Sequence, residues 1–143
     1  MVETIAIASD HAGYDLKALL IPEIQSLGFE ALDLGTDSRD SVDYPDFADA
    51  VARAIETGRV KRGVIICGTG LGIAIAANRH RAIRAGVCHD ATTARLARQH
   101  NDANVLALGA RVVGFEVARD CLRAFLTAEF EGGRHARRIA KMS

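Results

Sequence analysis

The chain has 143 residues, 49% of them hydrophobic and 25% charged, which fits one globular domain over residues 1–143 and excludes disorder as its overall state. Eighteen Lys+Arg balance 18 Asp+Glu, yet residues 1–56 hold 12 acids and three bases while residues 57–143 hold six acids and 15 bases. This asymmetry fits either solvated helix faces with internal ion pairs or a cationic site for an anionic ligand. Nucleic acid is a poor partner for it, because aromatics are only 5% and no basic block interleaved with aromatics occurs. No apolar run approaches the roughly 20 residues of a membrane span. Met1-Val2-Glu3-Thr4 lacks the basic start of a signal peptide, so the expected location is the cytoplasm. Cys67, Cys88 and Cys121 are odd in number and have no CxxC spacing, so neither a disulfide framework nor a zinc site is expected from them.

Residues 3–9 read as a strand, and Asp10-His11-Ala12-Gly13 turns the chain into a helix over about 12–27. Pro22 is expected to kink or break that helix, and Gly28 to stop it. Phe29 to Leu34 is a second strand, and residues 35–44 are turn-rich. Pro45 suits the first turn of a helix whose Phe47, Val51, Ala54 and Ile55 share one face, with Gly58 as its stop. Gly63-Val64-Ile65-Ile66-Cys67 is a continuous apolar run, the pattern of a strand buried on both faces of a parallel sheet. A glycine-rich turn and a helix to Asn78 follow, then a strand over Ile83 to Cys88, a helix over 90–100 and a strand over Asn104 to Leu108. Helices over 114–128 and about 134–142 complete the chain, separated by Gly132-Gly133. Strands alternating with helices predict an α/β fold with an open, mainly parallel sheet. In such sheets ligands bind beyond the carboxyl ends of the strands, which directs attention to the residues just after each one.

Cys67-Gly68-Thr69-Gly70-Leu71-Gly72 is the strongest local signal. Glycines at alternate positions between strand and helix let the backbone N–H groups form an anion-binding nest, for a phosphate or a developing oxyanion, or simply serve tight packing. The segment is neither a dinucleotide fingerprint, since Ile73 stands where glycine is needed, nor a P-loop. Cys67, at the edge of the nest, suits a thiolate acting as nucleophile or base, whereas Cys88 and Cys121 read as packing. Asp10 suits a helix N-cap, an orienter of histidine or a contact to a sugar hydroxyl. His100, at a helix C-terminus, is either a dipole partner or a functional group. Arg134 and Arg138, at i and i+4, suit a phosphate clamp or a solvated tail, and Arg111 is placed to join them.

Taken together these segments resemble the type B ribose-5-phosphate isomerase family, which also includes galactose-6-phosphate isomerase subunits. The resemblance is carried, in order, by Ser9-Asp10-His11-Ala12-Gly13, Asp43-Tyr44-Pro45, Ile66-Cys67-Gly68-Thr69-Gly70-Leu71-Gly72-Ile73, Ala76-Ala77-Asn78, Arg98-Gln99-His100-Asn101-Asp102, Gly109-Ala110-Arg111-Val112-Val113-Gly114 and Glu131-Gly132-Gly133-Arg134-His135. It implies a Rossmann-like three-layer fold with five parallel strands in the order 2-1-3-4-5. It also implies a homodimer, or a dimer of dimers, with its site at the subunit interface. The implied reaction interconverts an aldose phosphate and its ketose through an enediolate, with no metal or organic cofactor.

By the same resemblance Cys67 is the base, and His100 opens the sugar ring with help from Asp10. The Thr69 hydroxyl and the N–H groups of Gly68, Gly70, Leu71 and Gly72 stabilise the enediolate oxygen. Arg134 and Arg138 clamp the phosphate with Arg111 and His11 nearby, while Tyr44 and Asn101 line the sugar. Ala74 departs from the pattern, since many members carry serine there. The implied substrate is ribose 5-phosphate, with a tetrose, allose or galactose phosphate as the alternative. A non-catalytic flavodoxin-like module is a further reading. A receiver domain of that kind needs an Asp where Cys67 stands, and a flavin-phosphate loop would follow the first strand, where this chain has Asp-His-Ala-Gly.

Overall fold

The apolar runs become five parallel strands in a computed structural model that describes residues 1–142. They are β1 (Thr4–Ser9), β2 (Glu30–Asp33), β3 (Arg62–Cys67), β4 (Ala85–Val87) and β5 (Val105–Gly109). The helices are α1 (Tyr14–Ser26), α2 (Tyr44–Glu56), α3 (Leu71–Asn78), α4 (Ala91–Asn101), α5 (Phe115–Thr127) and α6 (Arg134–Ala140). A single 3-10 turn, His11–Gly13, leads into α1.

Side chains alternate across the sheet, and each face has its own core. Ile5, Ile7, Val64, Ile66, Leu106 and Leu108 pack against α1, α4 and α5. Ala6, Ala8, Ile65, Cys67, Val105 and Ala107 pack against α2 and α3. Each fully buried isoleucine or leucine contributes about 1.5–3 kcal/mol of transfer free energy. This is the three-layer α/β arrangement expected from the sequence.

The strand order differs from expectation. It is β2-β1-β3-β5-β4, not 2-1-3-4-5. β5 is buried at every position, whereas β4 has three residues of intermediate burial. The longer, fully apolar strand takes the interior place beside β3, and the short one is left at the edge. α3 carries the chain past the vacant place on one face, and α4 returns it on the other, so both crossovers keep the favoured hand.

Pro22 neither breaks nor ends α1, which runs unbroken to Ser26. Pro22 lies on the exposed side of the helix, as does Ala18, whose carbonyl loses its helical partner. Water can satisfy that carbonyl. Gly28 and Gly58, the expected stops, both have positive φ, 94° and 76°. Among the described residues no helix is long and apolar enough to cross a membrane.

One buried cation organises the exit of β2. Lys17 is only 2% exposed, and its Nζ donates to Asp33 Oδ1 and to the Thr36 carbonyl, each at 2.6 Å. The next bonds fix the end of β1: Thr36 N–H donates to the Ser9 carbonyl and Ser9 N–H to the Gly35 carbonyl, both at 2.8 Å. Lys17→Ala therefore strands a buried carbonyl and leaves a void. We expect a loss of about 2 kcal/mol, read as a lower urea midpoint with an unchanged slope. An unchanged midpoint would show that Lys17 does not hold this loop.

Candidate active site

The residues that follow β1, β3 and β5 meet at the carboxyl edge of the sheet. β3 ends at Cys67, and Gly70 caps α3 in the left-handed region (φ 81°), a conformation that favours glycine. That turn aims the Gly70 N–H at Cys67 Sγ, 3.2 Å away. The Leu71 N–H is held by Thr69 Oγ1 at 3.2 Å. Two of the amide donors expected to face a ligand are thus engaged inside the loop, one of them on the sulfur itself.

The neighbouring loops close round this sulfur. The Asp10 N–H donates to the Ile66 carbonyl at 3.1 Å, and Asp10 Oδ1 caps the 3-10 turn by accepting from Gly13 N–H at 3.2 Å. His11 Nδ1 accepts from the Val42 N–H at 3.1 Å, which leaves its proton on Nε2. The Arg111 side chain lies over Gly68, where a Cβ would sit 3.5 Å from its Nη1. The Tyr44 ring lies against Gly72, where a Cβ would come within 2.7 Å of its Cζ. Asp10, His11, Tyr44, Cys67, Gly68, Thr69, Gly70, Leu71, Gly72 and Arg111 therefore form one cluster. Leu71, Ile75 and Val112 are exposed around it.

The other expected site residues lie at the opposite edge. α4 starts after β4 and returns to the start of β5, so its last residues, His100 and Asn101, sit at the amino edge. Its 11 residues span about 16 Å. α5 ends there too, because Arg62, at the start of β3, donates to the carbonyls of Phe125 and Leu126. The His135 ring, in α6, stacks on His100 with centroids 4.4 Å apart and planes at 11°. α6 therefore brings Arg134 and Arg138 to His100, not to Cys67. The expectation that Arg111 and His11 stand close to the Arg134–Arg138 clamp does not hold within one chain. A cavity of about 440 Å³ beside β4 reaches Asn101, Arg84 and Ile139 from this edge.

Two further side chains, Glu131 and His135, meet His100 at the amino edge. His135 is buried, and burial, His100, Arg134 and Arg138 hold its imidazole below the usual histidine range against the opposing pull of Glu131. Glu131 Oε1 lies 3.7 Å from Nε2 of both His100 and His135. The i, i+4 spacing of Glu131 and His135 was visible in the sequence, but nothing local linked it to His100.

The match to known proteins extends along the chain. A family model described as Ribose/Galactose Isomerase matches residues 5–142. The chain belongs to that family. Ribose-5-phosphate isomerase B of Escherichia coli K12 is 48% identical over 138 residues, covering 96% of this chain and 93% of that one. D-erythrulose-4-phosphate isomerase of Pectobacterium atrosepticum is 44% identical over 140 residues, 97% of this chain and 92% of that one. The structure of ribose-5-phosphate isomerase B from Clostridium thermocellum superposes with a TM-score of 0.95 at 52% identity, covering 97% of this chain and 94% of that one. The chain is an aldose–ketose sugar-phosphate isomerase.

All three thiols are buried, Cys67 the least completely and at the open carboxyl edge of the sheet. Burial, with Cys88, Asp90 and Asp120 nearby, pushes the Cys121 thiol up to about 12, and burial raises that of Cys88. Folded protein at mildly alkaline pH should be alkylated by iodoacetamide first at Cys67, while Cys88 and Cys121 stay unlabelled until denaturant is added. Peptide mass mapping reads this, and early labelling of Cys121 would contradict it. Unfolded Cys121 ionises near 9.0, so its contribution to stability is complete below that pH and is lost as pH rises towards about 12.

Proposed function

We propose that the enzyme interconverts ribose 5-phosphate and ribulose 5-phosphate, and that each active site is built from two copies of the chain. The observation that carries the chemistry is the Gly70 N–H directed at Cys67 Sγ, which fixes the sulfur at the mouth of β3, where it is placed to act as the base. The Cys67 thiolate takes the proton from C2 of the open-chain aldose. The electron pair moves into a C1–C2 double bond, and charge collects on O1. The thiol then returns its proton to C1 while the O2 hydroxyl proton passes to O1, giving the ketose with no redox partner. Thr69 and the remaining N–H groups of the loop face the developing enediolate.

Ring opening requires a proton at the ring oxygen and a base at the anomeric hydroxyl. His100 supplies the proton transfer, with Asp10 assisting. Arg134 and Arg138 hold the phosphate, Tyr44 and Asn101 border the sugar, and His11 Nε2–H and Arg111 face it from the cysteine side. These two groups of residues occupy opposite edges of one sheet. A head-to-tail pairing about a two-fold axis brings the carboxyl edge of one copy against the amino edge of the other, twice. The exposed Leu71, Ile75, Val112 and Tyr44 rim the cysteine cluster and supply apolar surface for that contact. In this reading the protein is a homodimer acting in the cytoplasm.

The second reading keeps the mechanism and changes the sugar, since a tetrose phosphate relative shares 44% of the sequence. Comparing kcat/KM on ribose 5-phosphate, erythrose 4-phosphate, allose 6-phosphate and galactose 6-phosphate separates them. We expect ribose 5-phosphate to be preferred by about tenfold or more, and a preference for another sugar would replace the substrate. Cys67→Ala should lower kcat by about 10³-fold or more with substrate still bound, whereas Arg138→Ala should act mainly on KM. Near-normal turnover in Cys67→Ala would end the base assignment.

The composite site has its own test. Cys67→Ala and His100→Asn chains, each nearly inactive alone, are co-expressed. Half of the randomly formed dimers are then mixed, and each mixed dimer has one intact site. Recovery of about one quarter of wild-type activity is expected. No recovery would place both residues of a site on one chain.

A further inference from the structure

The geometry points to a binding site for a zinc-type transition-metal ion at His100, Glu131 and His135, whose occupancy inhibits the enzyme. One donor atom from each of these residues lies within 4.8 Å of the other two. Two imidazole nitrogens and one carboxylate are a donor set that Zn²⁺ accepts, with a fourth position left for water. Hard cations such as Mg²⁺ prefer oxygen ligands and are disfavoured here. Donors bound to zinc at about 2.0–2.1 Å in a tetrahedron stand roughly 3.4 Å apart. The two 3.7 Å separations from Glu131 Oε1 are within a few tenths of an ångström of that spacing, and turning one ring brings the two imidazole nitrogens to it.

The three donors are tethered independently of any ion. The Glu131 N–H donates to the Gln99 carbonyl at 3.0 Å, which fastens the loop before α6 beside His100. His135 is held by burial, its side chain 9% exposed. The His100 side chain is 39% exposed and is the freer of the two rings. The rings are nearly parallel, so their in-plane lone pairs do not converge. Binding therefore requires the His100 ring to turn about its Cβ–Cγ bond and leave the stack.

The ion then occupies the Nε2 of His100 and carries the ring away from the sugar. The inhibitory consequence rests on the role proposed above for His100, whereas the binding itself does not. The ion takes no part in the isomerisation.

Metal-free full-length protein is titrated with Zn²⁺ against a chromophoric chelator, and Co²⁺ serves as a spectroscopic probe of ligand type. One ion per chain is expected, with a cobalt spectrum free of sulfur charge transfer. Glu131→Gln and His135→Gln should each weaken Zn²⁺ binding by about tenfold or more, and Cys67→Ala should leave it unchanged. Glu131 is exposed, so its variant tests the site even if the buried His135→Gln fails to fold. Zn²⁺ binding that persists in Glu131→Gln, or that is lost in Cys67→Ala, would overturn the site. In parallel, Zn²⁺ should inhibit sugar-phosphate turnover at the occupancy read by the chelator, and chelation should restore it. Binding with the expected ligand dependence but without inhibition would overturn the inhibitory role, and with it the function assigned to His100, while the metal site stands.

Discussion

A parallel sheet obliges every connecting helix to carry the chain back from the carboxyl edge to the amino edge. That one constraint decides where chemistry can assemble in this protein. Residues that follow a strand share one edge, as Asp10, Cys67 and Arg111 do, and residues that close a returning helix share the other, as His100 and Asn101 do. α4 spans about 16 Å between the two, and its Ala94 and Ala97 pack into the core beneath the sheet. No rotamer change joins the halves. A reaction needing both must recruit a second copy, so the pairing proposed above follows from the chemistry and not merely from a sticky face.

The carboxyl edge is built by close approach. Any Cβ on Gly109 would lie 2.5 Å from the Thr69 carbonyl oxygen, and one on Gly70 would lie 3.0 Å from the Leu108 carbonyl carbon. Backbone therefore presses on backbone where the turn after β3 crosses the end of β5. This contact holds Thr69 and Gly70 in place and so fixes the 3.2 Å approach of the Gly70 N–H to the sulfur. The glycines serve two purposes at once. They permit the packing, and the packing aims the donor.

Much of this was legible in the residues because burial leaves a local trace. The run Val64-Ile65-Ile66 had to be covered on both faces, and it occupies the centre of the sheet. Gly28 and Gly58 marked helix ends because a left-handed residue there is cheap only for glycine. Strand order left no such trace. Which neighbour β4 and β5 take depends on their relative length and burial in the finished sheet, and a pattern read one segment at a time does not compare them. The His100–His135 stack was hidden for a related reason, since the two rings are 35 residues apart along the chain. Pro22 misled because a helix rule ignores which side faces water, and this proline faces it.

The charge asymmetry finds its meaning in the same geometry. Several bases of the second half are spent inside the chain, Arg62 on Glu3 and both Arg84 and Arg98 on Asp102. Arg134, Arg137 and Arg138 have no such acidic partner among the described ion pairs, and all three are exposed on α6. These mutually repelling guanidinium groups stand beside His135, whose imidazole is held below the usual histidine range by burial, His100, Arg134 and Arg138. A phosphate would relieve that repulsion, and it would do so at the amino edge, well away from Cys67. In the two-copy site proposed above, a phosphate held there would anchor one end of the sugar while proton transfer takes place at the C1–C2 end, beside the cysteine of the facing copy, so binding energy at the clamp can orient the reacting carbons without touching them.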